Sequence, residues 1–100
     1  MSYTDQELID SAKRTIQVET DALAALPPRI GDSFVQACRL ILQCEGHVVV
    51  TGMGKSGHIG NKIAASLAST GTPSHFVHPG EASHGDLGMI TKKDIVLALS

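Results

Sequence analysis

Behind Thr4-Asp5-Gln6-Glu7, apolar residues recur at helical spacing: Ile9, Ala12, Ile16, Leu23 and Leu26. The opening tetrad fits a capping box, with the Thr4 hydroxyl at the N-cap and the Glu7 carboxylate reaching back to the N-cap N–H. A first helix is therefore predicted to about Leu26, where Pro27-Pro28 cannot continue the backbone ladder. A second helix opens near Asp32, sets Phe34, Ala37, Cys38, Ile41 and Leu42 on one stripe, and closes at Glu45-Gly46. At residues 47–50 (HVVV) the helical period is lost. This β-branched run without alternation predicts a strand buried on both faces. From Ser56 or Gly57 the helical period returns in Ile59, Ile63 and Leu67, and Gly71-Thr72-Pro73 stops it. A short strand over 74–77, a polar loop over 78–88 and a third strand over 94–99, which also reads as fully buried, complete the pattern.

Helix, helix, strand, helix, strand, loop, strand is a βαβ unit preceded by two helices, the start of a parallel α/β sheet. Residues 1–45 read as N-terminal helices and 46–100 as the first part of the sheet domain. Ligands of open α/β sheets bind beyond the C-terminal strand ends. A sequence that stops at Leu99-Ser100 is therefore expected to be the N-terminal portion of a larger domain.

Composition narrows the function classes. With 42% hydrophobic and 18% charged residues the chain suits a globular core, not a disordered segment. A net charge of −2 supplies no basic face for nucleic acid. No apolar run approaches the roughly 20 residues of a membrane helix, and the N-terminus has neither the basic start nor the apolar stretch of a secretory signal. Cys38 and Cys44 stand six apart in a predicted helix, pointing to different faces, so no disulfide and a reducing cytoplasm are expected.

The chemistry concentrates in two stretches. Residues 51–60, TGMGKSGHIG, follow a strand and open a helix, the geometry in which backbone N–H groups and the helix dipole hold an anion. Gly52, Gly54 and Gly57 match G-x-G-x-x-G by spacing, yet Val77-His78 stands where the acidic ribose partner belongs. The P-loop spacing also fails, since one residue separates the glycines before Lys55-Ser56. A small phosphorylated ligand requires neither contact. The plain alternative is a tight turn whose glycines serve packing, with Lys55 in solvent.

Residues 78–88, HPGEASHGDLG, place His78, His84, Glu81 and Asp86 on the same strand-end edge. Taken alone, each histidine reads first as a structural hydrogen-bonding residue. Opposite a phosphate loop, a proton carrier, a hydroxyl donor or a single metal ligand becomes the favoured role, although two histidines do not complete a structural zinc site. His47 reads as a strand-end residue, and His75 as facing a helix or a subunit contact. His58 reads as close enough to touch an anion, or as a capping or exposed residue. Cys38 reads as core.

The combination GMGKSGH, STGTPS and HPGEASHGDLG closely resembles the sugar isomerase (SIS) domain of D-arabinose 5-phosphate isomerases, over about residues 5 to 100 and most strongly from Val48 to Ile90. The resemblance implies a Rossmann-like three-layer α/β sandwich with a five-stranded parallel sheet, assembled as a homotetramer. It also implies interconversion of D-ribulose 5-phosphate and D-arabinose 5-phosphate on the way to the Kdo sugar of lipopolysaccharide. Carried over by position, Lys55 is the catalytically relevant lysine, Gly71 and Thr72 contact substrate, and His78 and His84 are the loop histidines. His78 also takes zinc, which is inhibitory in the family; no cofactor is required. Ser56 joins the substrate contacts through its place in the anion loop.

The family continues into a serine-rich phosphate loop, further glutamates and a histidine, often followed by paired CBS domains. Residues 1–100 contain none of these, so the 100 residues alone are expected to turn over poorly or not at all. Glu81 and Asp86 are weaker stand-ins for the base, better suited to orienting the loop or capping turns. Two other outcomes are a non-catalytic phosphosugar-binding SIS module and an inactive assembly fragment. The two loop histidines favour the enzyme, since sensing a phosphate needs no proton carrier.

Overall fold

The computed structural model describes residues 2–82 and 85–100. The chain forms two compact units, Met1–Gln36 and Ala37–Ser100. In the first, helix α1 (Asp5–Ala24) starts on the expected capping box: the Glu7 N–H donates to Thr4 Oγ1 at 3.1 Å and the Thr4 N–H to Glu7 Oε1 at 3.3 Å. It stops two residues before Leu26 because the Leu26 N–H turns to the Leu23 carbonyl, tightening the chain into a 3-10 turn at Pro27–Arg29. Helix α2 (Asp32–Leu42) ends before Glu45-Gly46, again through a tightened turn, Cys44 N–H to Ile41 O.

The second unit is a three-stranded parallel sheet of order β2-β1-β3, with β1 Val48–Gly52, β2 Ser74–Phe76 and β3 Ile95–Leu99. In register, Val48 stands beside Ser74 and Ile95, and Val50 beside Phe76 and Leu97. Helix α3 (Gly54–Ser69) covers one face, where Val48, Val50 and Ala64 form the core with Ile63, Leu67, Phe76, Leu97 and Leu99 around them. Val48, Val49 and Val50 are all fully buried, as the uninterrupted β-branched run predicts.

The third strand departs from expectation. Its burial alternates, and Val96 is 49% exposed. Within the described sheet β3 is an edge strand, and the cluster beneath α3 includes Leu97 and Leu99 but not their alternates. An apolar run records that a strand is buried, not how many of its faces are. Cys38 is half-buried, not core, and both cysteines are free. The predicted loop over 78–88 contains a short helix α4 (Pro79–Ala82) and a 3-10 turn at Asp86–Met89.

The N-terminal edge of the sheet is held by a polar clasp. Asp94 Oδ1 accepts the His47 N–H and Oδ2 the Thr91 N–H, both at 2.7 Å. The Gly46 N–H donates to Lys93 O, and the Ile95 N–H to His47 O. The His47 backbone N–H first, then that of Thr91, holds the Asp94 carboxyl below the usual carboxylate range. The His47 ring stands 3.8 Å from Asp94 Oδ1 and meets the His75 ring edge-on at 5.4 Å. Strand-end placement of His47 thus agrees with its sequence position. His75 Nε2 is buried with no hydrogen-bond partner among the described residues.

Candidate functional site

A cleft of about 410 Å³ opens at the C-terminal ends of β1 and β3, lined by Thr51, Gly52, Met53, Ser56, Pro79, Ala98, Leu99 and Ser100. The turn from β1 into α3 forms one wall. Gly54 takes φ +57°, in the left-handed region that favours glycine. Gly57 follows for a different reason, since a Cβ there would sit 2.7 Å from the Gly52 carbonyl oxygen. The helix thereby starts at Gly54, earlier than Ser56, and its first turn lies directly on the strand end.

Met53 occupies the N-cap position of α3 and supplies no side-chain acceptor. The first-turn N–H groups of the helix are therefore not capped by their own N-cap residue, and the positive end of α3 meets the cleft. Ser56 lines the cleft, and Lys55 is exposed next to it in the same turn. On the other side the Thr51 hydroxyl donates to the Val77 carbonyl, and the Val77 N–H donates to Val50 O at 2.9 Å. These bonds tie the ends of β1 and β2 together just before His78. The Gly80 N–H donates to His78 Nδ1 at 3.0 Å. In the neutral ring the proton then resides on Nε2, so His78 offers a donor.

The predicted residues separate into groups. Lys55, Ser56 and His78 lie at the C-terminal edge of the sheet; Ser56 lines the cleft and His78 directly precedes its Pro79 wall. Gly71 and Thr72 follow the other end of α3, before β2 begins, and a 16-residue helix is about 24 Å long. One copy of the chain does not bring them to this cleft. His84 lies outside the described residues. Glu81 is exposed on α4. His58 is exposed in α3. Thr51 and Met53 line the cleft from within the glycine-rich stretch without having been named individually, and the β3 tip residues do so with their place at a strand end as the only signal. While Nδ1 accepts from the Gly80 N–H, neutral His78 has no free lone pair on either ring nitrogen, so ligating a metal through Nε2 requires that hydrogen bond to be given up. Among the described residues no group of three or more His, Cys, Asp or Glu side chains is placed to hold one. No described helix is long and apolar enough to cross a membrane.

Comparison with known proteins adds the family. The model of the SIS domain matches residues 41–100, which include the whole sheet, α3 and the cleft. This chain belongs to the SIS domain family. Its relatives include arabinose 5-phosphate isomerase KdsD of Pseudomonas aeruginosa, 69% identical over 94 residues, covering 94% of this chain and 29% of the relative. Arabinose 5-phosphate isomerase GutQ of Escherichia coli K12 is 57% identical over 95 residues, covering 95% and 30%. Among solved structures, E. coli CFT073 c3406 in complex with arabinose 5-phosphate superposes with a TM-score of 0.91 at 42% identity, covering 98% of this chain and 52% of that one. The SIS chain described here thus spans about a third or less of these curated relatives and about half of that solved chain. The expected α/β fold with its parallel sheet is the fold of these SIS structures.

Proposed function

We propose that the chain supplies the phosphosugar loop of an aldose–ketose isomerase interconverting D-ribulose 5-phosphate and D-arabinose 5-phosphate, in the supply of Kdo for lipopolysaccharide. The observation that carries this is the 69% identity to an arabinose 5-phosphate isomerase across nearly the whole chain. The open positive end of α3 beside Ser56 and Lys55 supports it, because an anionic sugar phosphate is what such a cleft attracts.

Isomerisation moves a proton between C1 and C2 through a cis-enediol. It calls for an anchor on the phosphate, a positive group near the developing oxyanion and a proton carrier near neutral pH. Ser56 and the first-turn N–H groups of α3 are the anchor. Lys55 stabilises the enediolate. His78 donates from Nε2 to a substrate hydroxyl, and His84 carries the proton. Gly71 and Thr72 contact the substrate held by another copy, since they follow the far end of α3. Residues 1–45 serve as N-terminal helices and 46–100 as the first part of the SIS domain. The protein acts in the cytoplasm on a small sugar phosphate, without nucleic-acid or membrane partners, as a homotetramer. No cofactor is required, and inhibitory zinc would use His78 Nε2 with ligands from elsewhere, once the Gly80 N–H bond is given up and the ring proton moves to Nδ1.

The decisive experiment is a chimera in which these residues replace the aligned segment of the Pseudomonas aeruginosa relative, assayed for arabinose 5-phosphate isomerisation. Turnover within about tenfold of the relative's, a barrier change near 1.4 kcal/mol, is expected. A folded chimera that binds arabinose 5-phosphate without isomerising it would assign the segment to phosphosugar binding alone.

A further inference from the structure

Between β1 and β2 the register runs from Val48 beside Ser74 to Val50 beside Phe76. The backbone contact continues one step further, with the Val77 N–H on Val50 O. The next acceptor, Val77 O, is taken by a side chain, the Thr51 hydroxyl. Val77 is buried, so its carbonyl depends on that donor more than a solvent-facing carbonyl would. Thr51 lines the cleft, yet the proton of its hydroxyl is spent inside the fold. What the hydroxyl delivers is a fixed point of departure for the next residue, His78.

The chain is held again directly after His78. The His78 carbonyl accepts the Ala82 N–H at 3.0 Å, and its ring Nδ1 accepts the Gly80 N–H at 3.0 Å. His78 therefore caps the first turn of α4 with backbone and ring together, the ring nitrogen standing where a capping oxygen usually does. Pro79 fits between them, because the first position of a helix has no N–H to place. Gly80 contributes through what it lacks. It is not among the glycines with positive φ, so its backbone does not call for glycine. A Cβ there would stand 3.1 Å from His78 Nδ1 and 3.3 Å from Cε1. The missing side chain is the room in which the ring lies.

We propose that Thr51 and Gly80 are positioning residues for His78. Thr51 fixes the backbone that leads into it, and Gly80 fixes its ring with the neutral proton on Nε2. The proposal rests on the isomerase reading, in which that Nε2–H meets a substrate hydroxyl.

The test is a set of double-mutant cycles in the chimera, read both as kcat/KM and as arabinose 5-phosphate affinity by calorimetry, with melting temperature followed throughout. His78→Ala is expected to lower both by about tenfold or more. Thr51→Val, which keeps the shape and removes the hydroxyl, and Gly80→Ala are each expected to cost about threefold to tenfold. Thr51→Ser restores the hydroxyl and is expected to recover most of the loss. In the His78→Ala background, Thr51→Val and Gly80→Ala are expected to cost less than about twofold, because the group they position is gone. Gly80→Ala adds a good helix former, so its loss of activity is expected without a fall in melting temperature. It also carries the test if Thr51→Val does not fold. Losses that add in full to that of His78→Ala would overturn the proposal, since Thr51 and Gly80 would then act on the cleft or the fold directly. So would Thr51→Val and Gly80→Ala proteins equal to the parent, or a His78→Ala protein unchanged in both readouts. A chimera that binds arabinose 5-phosphate without turnover would remove the isomerase reading alone, and the same cycles read in affinity would still decide the positioning roles.

Discussion

In the proposed reaction Lys55 is a fixed charge and His84 a movable proton, and substitution in the chimera is expected to separate them. Lys55→Ala removes a charge beside Ser56 at the cleft. A charge that acts on the enediolate gives a fall in kcat with KM nearly constant, the expected result, whereas a charge that only holds phosphate gives a raised KM. His84→Gln is expected to lower kcat by roughly 10²-fold while arabinose 5-phosphate binding by calorimetry survives. Gly57 acts on geometry alone. A Cβ placed 2.7 Å from the Gly52 oxygen pushes the first turn of α3 off the strand end. Gly57→Ala is expected to destabilise by about 1–3 kcal/mol, read as a fall in melting temperature of about 4 °C or more. An unchanged melting temperature would mean that the turn relaxes freely around the new methyl group.

At the scale of elements, the Asp94 clasp joins the starts of β1 and β3 and carries a pH signature. Its carboxyl is held below the ordinary range, so its contribution is complete above the unfolded value of about 3.9 and is lost as pH falls through the lower folded value. Asp94→Asn keeps one acceptor oxygen for two backbone donors. The melting-temperature gap between wild type and Asp94→Asn is therefore expected to be constant above about pH 5 and to close below about pH 4. A gap independent of pH would remove the carboxylate from the clasp. The capping box, the two helix-stopping segments and the central strand were legible in the sequence because each depends on neighbours a few residues away. The clasp was not, since Asp94 meets His47 across 47 positions. Nor was the half-exposure of β3 or the start of α3 at Gly54. The first depends on which layers lie on the sheet, and the second on a backbone contact between Gly52 and Gly57. Of the candidate site, the glycine loop and His78 could be placed at one edge from order alone. That Gly71 and Thr72 lie a helix length from the glycine loop already followed from their place at the predicted stop of that helix.

At the scale of the whole molecule, that separation would make the proposed catalysis a property of an assembly. If Gly71 and Thr72 of one copy serve the cleft of another, chimeras carrying Lys55→Ala and Thr72→Asp are each impaired for different reasons. Mixed and reassembled, they are expected to recover activity that neither has alone, because some clefts then receive an intact loop and an intact Gly-Thr pair. No recovery on mixing would confine each site to one copy. The central position of β1 has a consequence in time as well as in space. Its backbone is bonded to strands on both sides and its three valines are wholly enclosed, while β2 and β3 each have one neighbour in the described sheet. Amide protons of Val49 and Val50 should be among the last to exchange with deuterated solvent, and those of β3 sooner. The loop proposed to meet the anion thus springs from the strand expected to open last, which would keep its N–H groups aimed over intervals far longer than a sugar phosphate's visit.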